Sequence, residues 1–271
     1  MDKFGYIRGR RGAPGPPGKD ALELHTWAPN GVLEMIRKNN ECTFYFDSEK
    51  DGIIDGGEGK IALKDRFGNN NAMCLSNFQK PIKIGKFYGL PLKDSLYKIE
   101  NCDTATIESS ICVVALQFKL ISKISNEDDY IFTNETGSRG VTVSKKALNI
   151  LGTDPMDLAY TSRGWNTLLI QWSCIEKDQD GKCFFILNGR RGEFTPHTEI
   201  TRAKDLYLGG HQAGKQFANV MISSFEIYFR FIDNGPDEKP LPYLMPKDML
   251  QIIEDGMKLR VEKPDTCNCD F

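Results

Sequence analysis

Carboxylates spaced along a short Gly-rich segment are the first residues that could do chemistry. Asp47, Asp51, Asp55 and Glu58 fall in the run Asp47-x-x-x-Asp51-Gly52-x-x-Asp55-Gly56-Gly57-Glu58. A hard cation such as Ca2+ takes roughly six to eight oxygens held by a tight turn, so closely spaced carboxylates are candidate ligands. The spacing is not that of an EF-hand, and hairpin turns are themselves rich in Asp and Gly. Asp178-x-Asp180-Gly181 invites the same two readings with fewer oxygens. Ca2+ is the one candidate cofactor, and the chain is expected to require none.

The basic candidates are Arg190, Arg191, Arg202, Lys204, His211 and Lys215, read as lying in loops after a hairpin. They could face an anionic glycan or a lipid surface, or be an ordinary solvated surface. The segment from Gly209 to Lys215 fits G-x-x-x-x-G-K, but a phosphate cradle needs Ser or Thr next and a helix behind it. Here Gln216 follows and then strand residues, which makes the segment a loop between strands.

Catalysis finds little material. Sugar cleavage needs two carboxylates facing across a groove, and no Glu-x-Asp-x-x-Glu strand occurs. Glu127-Asp128-Asp129 reads as a polar, solvated loop. The three histidines, His25, His197 and His211, sit near no evident nucleophile, and a nucleophile needs a base at hydrogen-bond distance. No catalytic residue is assigned, and the chain reads as non-enzymatic. A formal charge of −2 and the lack of a Lys/Arg stripe speak against nucleic acid. No apolar run approaches the roughly 18 residues of a membrane span. The first residues lack the apolar centre of a signal peptide, so an extracellular or virus-particle location would rest on a leader outside this sequence or another route.

The eight cysteines are an even number compatible with an oxidising compartment. Cys174 and Cys183 flank a hairpin, where they either pair across it or remain buried thiols. Cys267 and Cys269 are one residue apart and would strain to bond each other, which favours bridges between chains, with a metal or unpaired thiols as alternatives. Asn134-Glu135-Thr136 is a glycosylation sequon for a secreted chain.

The elements that must position these residues are mostly strands. Leu168, Ile170, Trp172 and Cys174 alternate with Thr167, Leu169, Gln171 and Ser173, the period of a strand with one buried face. The run 182–188 is apolar nearly throughout and reads as a deeply buried second strand, joined to the first by turn chemistry at 178–181. Further strands are expected over 43–47, 60–64, 96–100, 130–133 and 140–144, with two long ones over 111–124 and 220–231. In the last, Met221, Ser223, Phe225, Ile227, Phe229 and Phe231 are expected on one face. So many strands without regular helices between them indicate an all-β antiparallel two-sheet sandwich or jelly roll.

The flanks differ. Gly9, Gly12, Gly15 and Gly18 mark four Gly-X-Y triplets, the pattern of a collagen triple helix, where only Gly fits the axis. The run is a trimer-forming stalk or a flexible Pro/Gly arm. The expected organisation is a collagen-like arm over 1–20, a connector with a short helix over 21–41, a β-sandwich over 42–235, and a Pro-broken tail with a short helix over 236–271.

A long strand opening on Trp165, a hairpin to Phe185-Ile186-Leu187-Asn188-Gly189, then Leu206-Tyr207-Leu208-Gly209-Gly210 and Phe225-Glu226-Ile227-Tyr228 together resemble the laminin G and pentraxin group of concanavalin A-like domains. The resemblance spans roughly 42–232, with its motifs in the later half. It implies a two-sheet jelly roll that binds glycans or proteins at its rim or concave face, often with calcium. The group's calcium-ligand positions have no match here. The Gly-X-Y run is similar to the stalk of collagen-like trimers. The combined expectation is a homotrimer whose heads recognise a glycan or an extracellular protein, with a structural matrix, fibre or capsid component as one alternative and a polysaccharide-active enzyme as the other.

Overall fold

The computed structural model describes residues 42–48, 52–57, 60–66, 70–84, 87–100, 110–121, 128–162, 164–173, 183–196 and 205–231. The arm, the connector and the tail, with their expected helices, lie outside the described residues. In chain order the strands are β1 (Cys42–Asp47), β2 (Ile53–Gly57), β3 (Lys60–Leu63), β4 (Ala72–Cys74), β5 (Ile82–Ile84), β6 (Phe87–Pro91), β7 (Tyr97–Ile99) and β8 (Ser110–Leu120). There follow β9 (Asp129–Asn134), β10 (Gly140–Val143), β11 (Leu148–Ile150), β12 (Trp165–Ser173), β13 (Cys183–Leu187), β14 (Arg190–Phe194), β15 (Leu206–Leu208) and β16 (Val220–Phe231).

These strands form two eight-stranded sheets. The first runs β14-β13-β12-β8-β16-β6-β5, with β1 also bonded to β16; the second runs β11-β10-β9-β15-β7-β4-β3-β2. Neighbouring strands pair antiparallel throughout. The all-β two-sheet sandwich expected from the sequence is the observed architecture.

The inter-sheet core follows from the period of two. Cys112, Val114, Leu116 and Phe118 of β8 and Leu168, Ile170 and Trp172 of β12 face inward. From the second sheet, Phe132 meets Trp172 edge-on at 6.2 Å and Phe225 at 5.4 Å between ring centroids. Edge-to-face contacts suit the ring quadrupoles, and truncating one such core phenylalanine to alanine costs about 3–5 kcal/mol.

Two expectations about alternation fail, for identifiable reasons. The central strands are buried on both faces: Val113, Ala115, Gln117, Leu169, Gln171, Glu226 and Tyr228, all turned from the inter-sheet core, are no more than 2% exposed. A buried carboxylate must be hydrogen-bonded, and the Tyr228 hydroxyl donates to Glu226. In β16 a bulge between Ile222 and Ser224 reverses the parity. Val220 and Ile222 therefore share the core with Phe225 and Ile227, and Met221 turns away.

A third correction concerns the hairpin. The chain continues past Asn188 (φ 50°) and Gly189 (φ 81°), both left-handed as a type I′ turn requires. It re-enters the sheet as β14, so Arg190 and Arg191 lie on an edge strand, paired with Leu187 and Ile186, and not in a loop. The turn at 178–181 lies outside the described residues. Asp129, read as solvated, opens β9 and is 6% exposed.

Candidate binding site on the second sheet

The short strands β7 and β15 are three residues each, Tyr-Lys-Ile and Leu-Tyr-Leu. Their outer residues are buried and their middle residues half-buried, as alternation dictates when one face meets the core. Register sets Tyr207 beside Lys98, and Lys98 beside Met73 of β4. A phenol ring, an ammonium and a thioether thus line up on the outer face of the second sheet.

Charge is concentrated around this row. Lys98 Nζ lies 2.9 Å from Asp205 Oδ2 and 3.0 Å from Glu100 Oε1. The bond to Asp205, then that to Glu100, holds the Lys98 ammonium above its ordinary range, so the amine stays protonated and supplies no base at neutral pH. Burial pushes the Tyr207 phenol up; Lys98 opposes this, while Asp205, Glu135 and Glu100 add to it.

Two loops frame the row and are tied together. The β9–β10 turn closes on Asn134, whose Oδ1 accepts from Arg139 N (3.1 Å) and whose Nδ2 donates to Ser138 Oγ (2.9 Å). Glu135 N donates to Asp205 O at 3.2 Å, and Gln212 Nε2 donates to Glu135 O at 2.7 Å. The β15–β16 connection starts at Gly209 (φ 95°), whose N–H bonds Ile131 O at 2.7 Å. A Cβ there would lie 2.2 Å from Ser95 O, so glycine is required.

The sequence-selected residues fall out as follows. His211 and Lys215 are brought together: His211 N donates to Lys215 O at 3.1 Å, and the imidazole packs on Tyr130 at 5.2 Å between ring centroids. Gly214 N also bonds His211 O, at 2.8 Å. The G-x-x-x-x-G-K segment is therefore a turn in which the His211 and Gly214 amides bond within the segment, and it leads into β16 and not into the helix a phosphate cradle needs. Arg190 and Arg191 stand on the other sheet, with the Arg191 guanidinium 4.2 Å above the Phe184 ring centre, a cation–π geometry. Arg202 and Lys204 lie outside the described residues.

Of the calcium candidates, Asp51 and Glu58 lie outside the described residues. Asp47 pairs through its backbone with Ser224, and Asp55 is exposed, its Oδ1 accepting from Gly57 N at 2.9 Å. Among the described residues no three His, Cys, Asp or Glu side chains gather into a metal-holding group. Cys183 is buried in the core; Cys174, Cys267 and Cys269, like Gly9, Gly12, Gly15 and Gly18, lie outside the described residues. Asn134 is 1% exposed with both ends of its amide engaged, so the folded protein offers no free nitrogen at the sequon. The residues missed from sequence are Tyr207, Lys98, Asp205 and Gln212; the Leu-Tyr-Leu and Tyr-Lys-Ile alternations were the available signal.

No family model matches the sequence, and no curated protein matches it at significant similarity. Solved structures do match in fold. The receptor-binding domain of botulinum neurotoxin mosaic serotype C/D aligns at TM-score 0.50 and 13% identity, over 69% of this chain and 47% of that one. The binding domain of botulinum neurotoxin DC in complex with SialylT aligns at TM-score 0.52 and 10% identity, over 81% and 52%. Trypanosoma rangeli sialidase aligns at TM-score 0.50 and 8% identity, over 88% and 39%. The chain spans about half the length of the toxin domains it matches. At these identities what is shared is the fold, a jelly-roll-like β-sandwich. It agrees with the expected two-sheet architecture and does not single out the laminin G or pentraxin group. Among the described residues no helix is long and apolar enough to cross a membrane.

Proposed function

We propose that this chain is a non-catalytic recognition protein acting outside the cell or on a particle surface, whose β-sandwich binds a glycan on the outer face of its second sheet. One observation carries the reading: the half-buried Tyr207 ring stands in register with Lys98, flanked by Asp205 and Glu100. An aromatic face accepts the C–H side of a pyranose while fixed polar groups exchange hydrogen bonds with its hydroxyls. The Gln212 carboxamide, tied to the Glu135 carbonyl, edges the same surface. The fold shared with a sialidase and with a toxin binding domain in complex with SialylT supports the reading.

A single shallow face binds weakly, and tethered copies raise the effective concentration. The Gly-X-Y arm and the terminal Cys267 and Cys269 belong to this proposal as the means of trimerisation. The test is a glycan array probed with the full chain and with Tyr207→Ala. Binding lost by roughly tenfold or more in the variant, with unchanged folding, supports the site. A blank array together with self-assembly would favour a lattice component instead, and a monomer by light scattering would remove the trimer.

A further inference from the structure

Charge of both signs is fixed around the Tyr207 phenol. Around the phenol stand one ammonium, Lys98, and three carboxylates, Asp205, Glu135 and Glu100. The ammonium is already in contact with two of those carboxylates, at 2.9 and 3.0 Å. A ligand carboxylate or sulfate would have to displace a partner covalently fixed in place, and would meet the remaining negative charges at short range. A hydroxyl meets no such obstacle, since carboxylate oxygens accept from it and Lys98 donates to it.

Of the other described cations, Lys60 and Lys64 lie on and just after β3, two strands from Lys98 in the same sheet, and Arg139, in the β9–β10 turn, is 3% exposed. Arg190 and Arg191 are on β14 at the edge of the first sheet. The Lys215 carbonyl accepts from His211 N within its own turn. Lys119 is on β8 of the first sheet.

We propose that the ligand of this face is an uncharged pyranoside and that sialylated and sulfated sugars are excluded from it. The inference rests on the glycan-binding reading of the same face. Its physical basis is discrimination by repulsion, in which an unfavourable charge pairing rejects the wrong ligand more effectively than added contacts favour the right one.

The experiment uses the full chain on an array where each neutral oligosaccharide is matched with its sialylated and its sulfated form, at two ionic strengths. The expected result is neutral ligands bound at least about tenfold more tightly than their anionic forms, with the gap widening at low salt as screening weakens. Asp205→Asn combined with Glu100→Gln, checked for folding by circular dichroism, should release Lys98 and narrow the gap. Anionic forms bound as well as or better than neutral ones, and lost in Tyr207→Ala, would overturn the charge selection while leaving the glycan site standing. No saccharide bound in any form would overturn the site reading and the selection with it. A Lys/Arg-rich peptide captured in place of both sugar classes would also overturn the proposal.

Discussion

Asn188 Nδ2 donates to Asn166 Oδ1 over 2.9 Å, and the same Asn188 accepts on Oδ1 from Thr167 N at 2.9 Å. The turn residue of the β13–β14 hairpin is thereby bonded to the start of β12. Asn166 passes the link on, accepting from Thr161 N at 2.8 Å and donating to Thr161 O at 2.9 Å. Asn188→Asp replaces the donor with an oxygen facing an oxygen, and should destabilise by about 1–3 kcal/mol. Asn188→Gly keeps the left-handed backbone and loses only the side-chain bonds, so about 1 kcal/mol is expected. Urea midpoints at constant m-value separate the two.

The Lys98–Asp205 pair makes stability depend on alkaline pH. The folded state holds Lys98 above its ordinary 10.5, so the contribution is fully present below that pH and is lost as pH rises through the higher folded value. The Lys98 side chain is a quarter exposed, which limits the pair to roughly 0.2–1 kcal/mol. Asp205→Asn should be the less stable protein at pH 8, and the gap should start to shrink above the ordinary Lys value of 10.5 and close only as the pH passes the raised folded value, as read by paired denaturation curves. Curves that stay parallel at all pH values would assign the loss to packing.

Gly209 is the hinge between β15 and the loop that edges the proposed site. Gly209→Ala adds a Cβ 2.2 Å from Ser95 O at φ 95°, and the strain is about 1–3 kcal/mol or more. Glycan binding should fall along with thermal stability. Gly214→Ala, also at positive φ but with open space around its Cβ, should cost about 1 kcal/mol and spare the strand.

Asn134 is expected to carry no glycan when the chain passes through a glycosylating compartment. Its Nδ2 faces Ser138 Oγ, and its side chain lines a small interior cavity with Cys112, Phe132, Arg139 and Trp172. Intact-mass spectra before and after amidase treatment should coincide. Asn134→Ala, which leaves the Arg139 amide without its acceptor, should cost about 1–3 kcal/mol.

The long strands were legible because apolar and β-branched residues run over nine or more positions in β8, β12 and β16. Three-residue strands such as β4, β5 and β11 leave no period to read, and their pairing is decided by distant partners. The β16 bulge was hidden for a related reason: an inserted residue changes parity without changing composition. At the site, Leu206-Tyr207-Leu208 was visible as a motif, but its meaning depends on Lys98, more than 100 positions earlier and adjacent only through register. Basic residues drew attention by charge alone, and Arg191 spends that charge on the Phe184 ring.

The edge of β16 opposite β8 is divided between two strands, β6 meeting Met221 and Ile222 and β1 meeting Ser224 to Tyr228. Cys42 and Tyr228, paired there, are separated by roughly 185 residues, a loop whose closure entropy must be met before its contacts form. Such non-local pairing slows folding. During synthesis β1 emerges first and waits for its partner until β16 has left the ribosome. Until then its pairing edge is open to other chains, which makes co-translational aggregation and chaperone dependence the characteristic hazard of this sandwich.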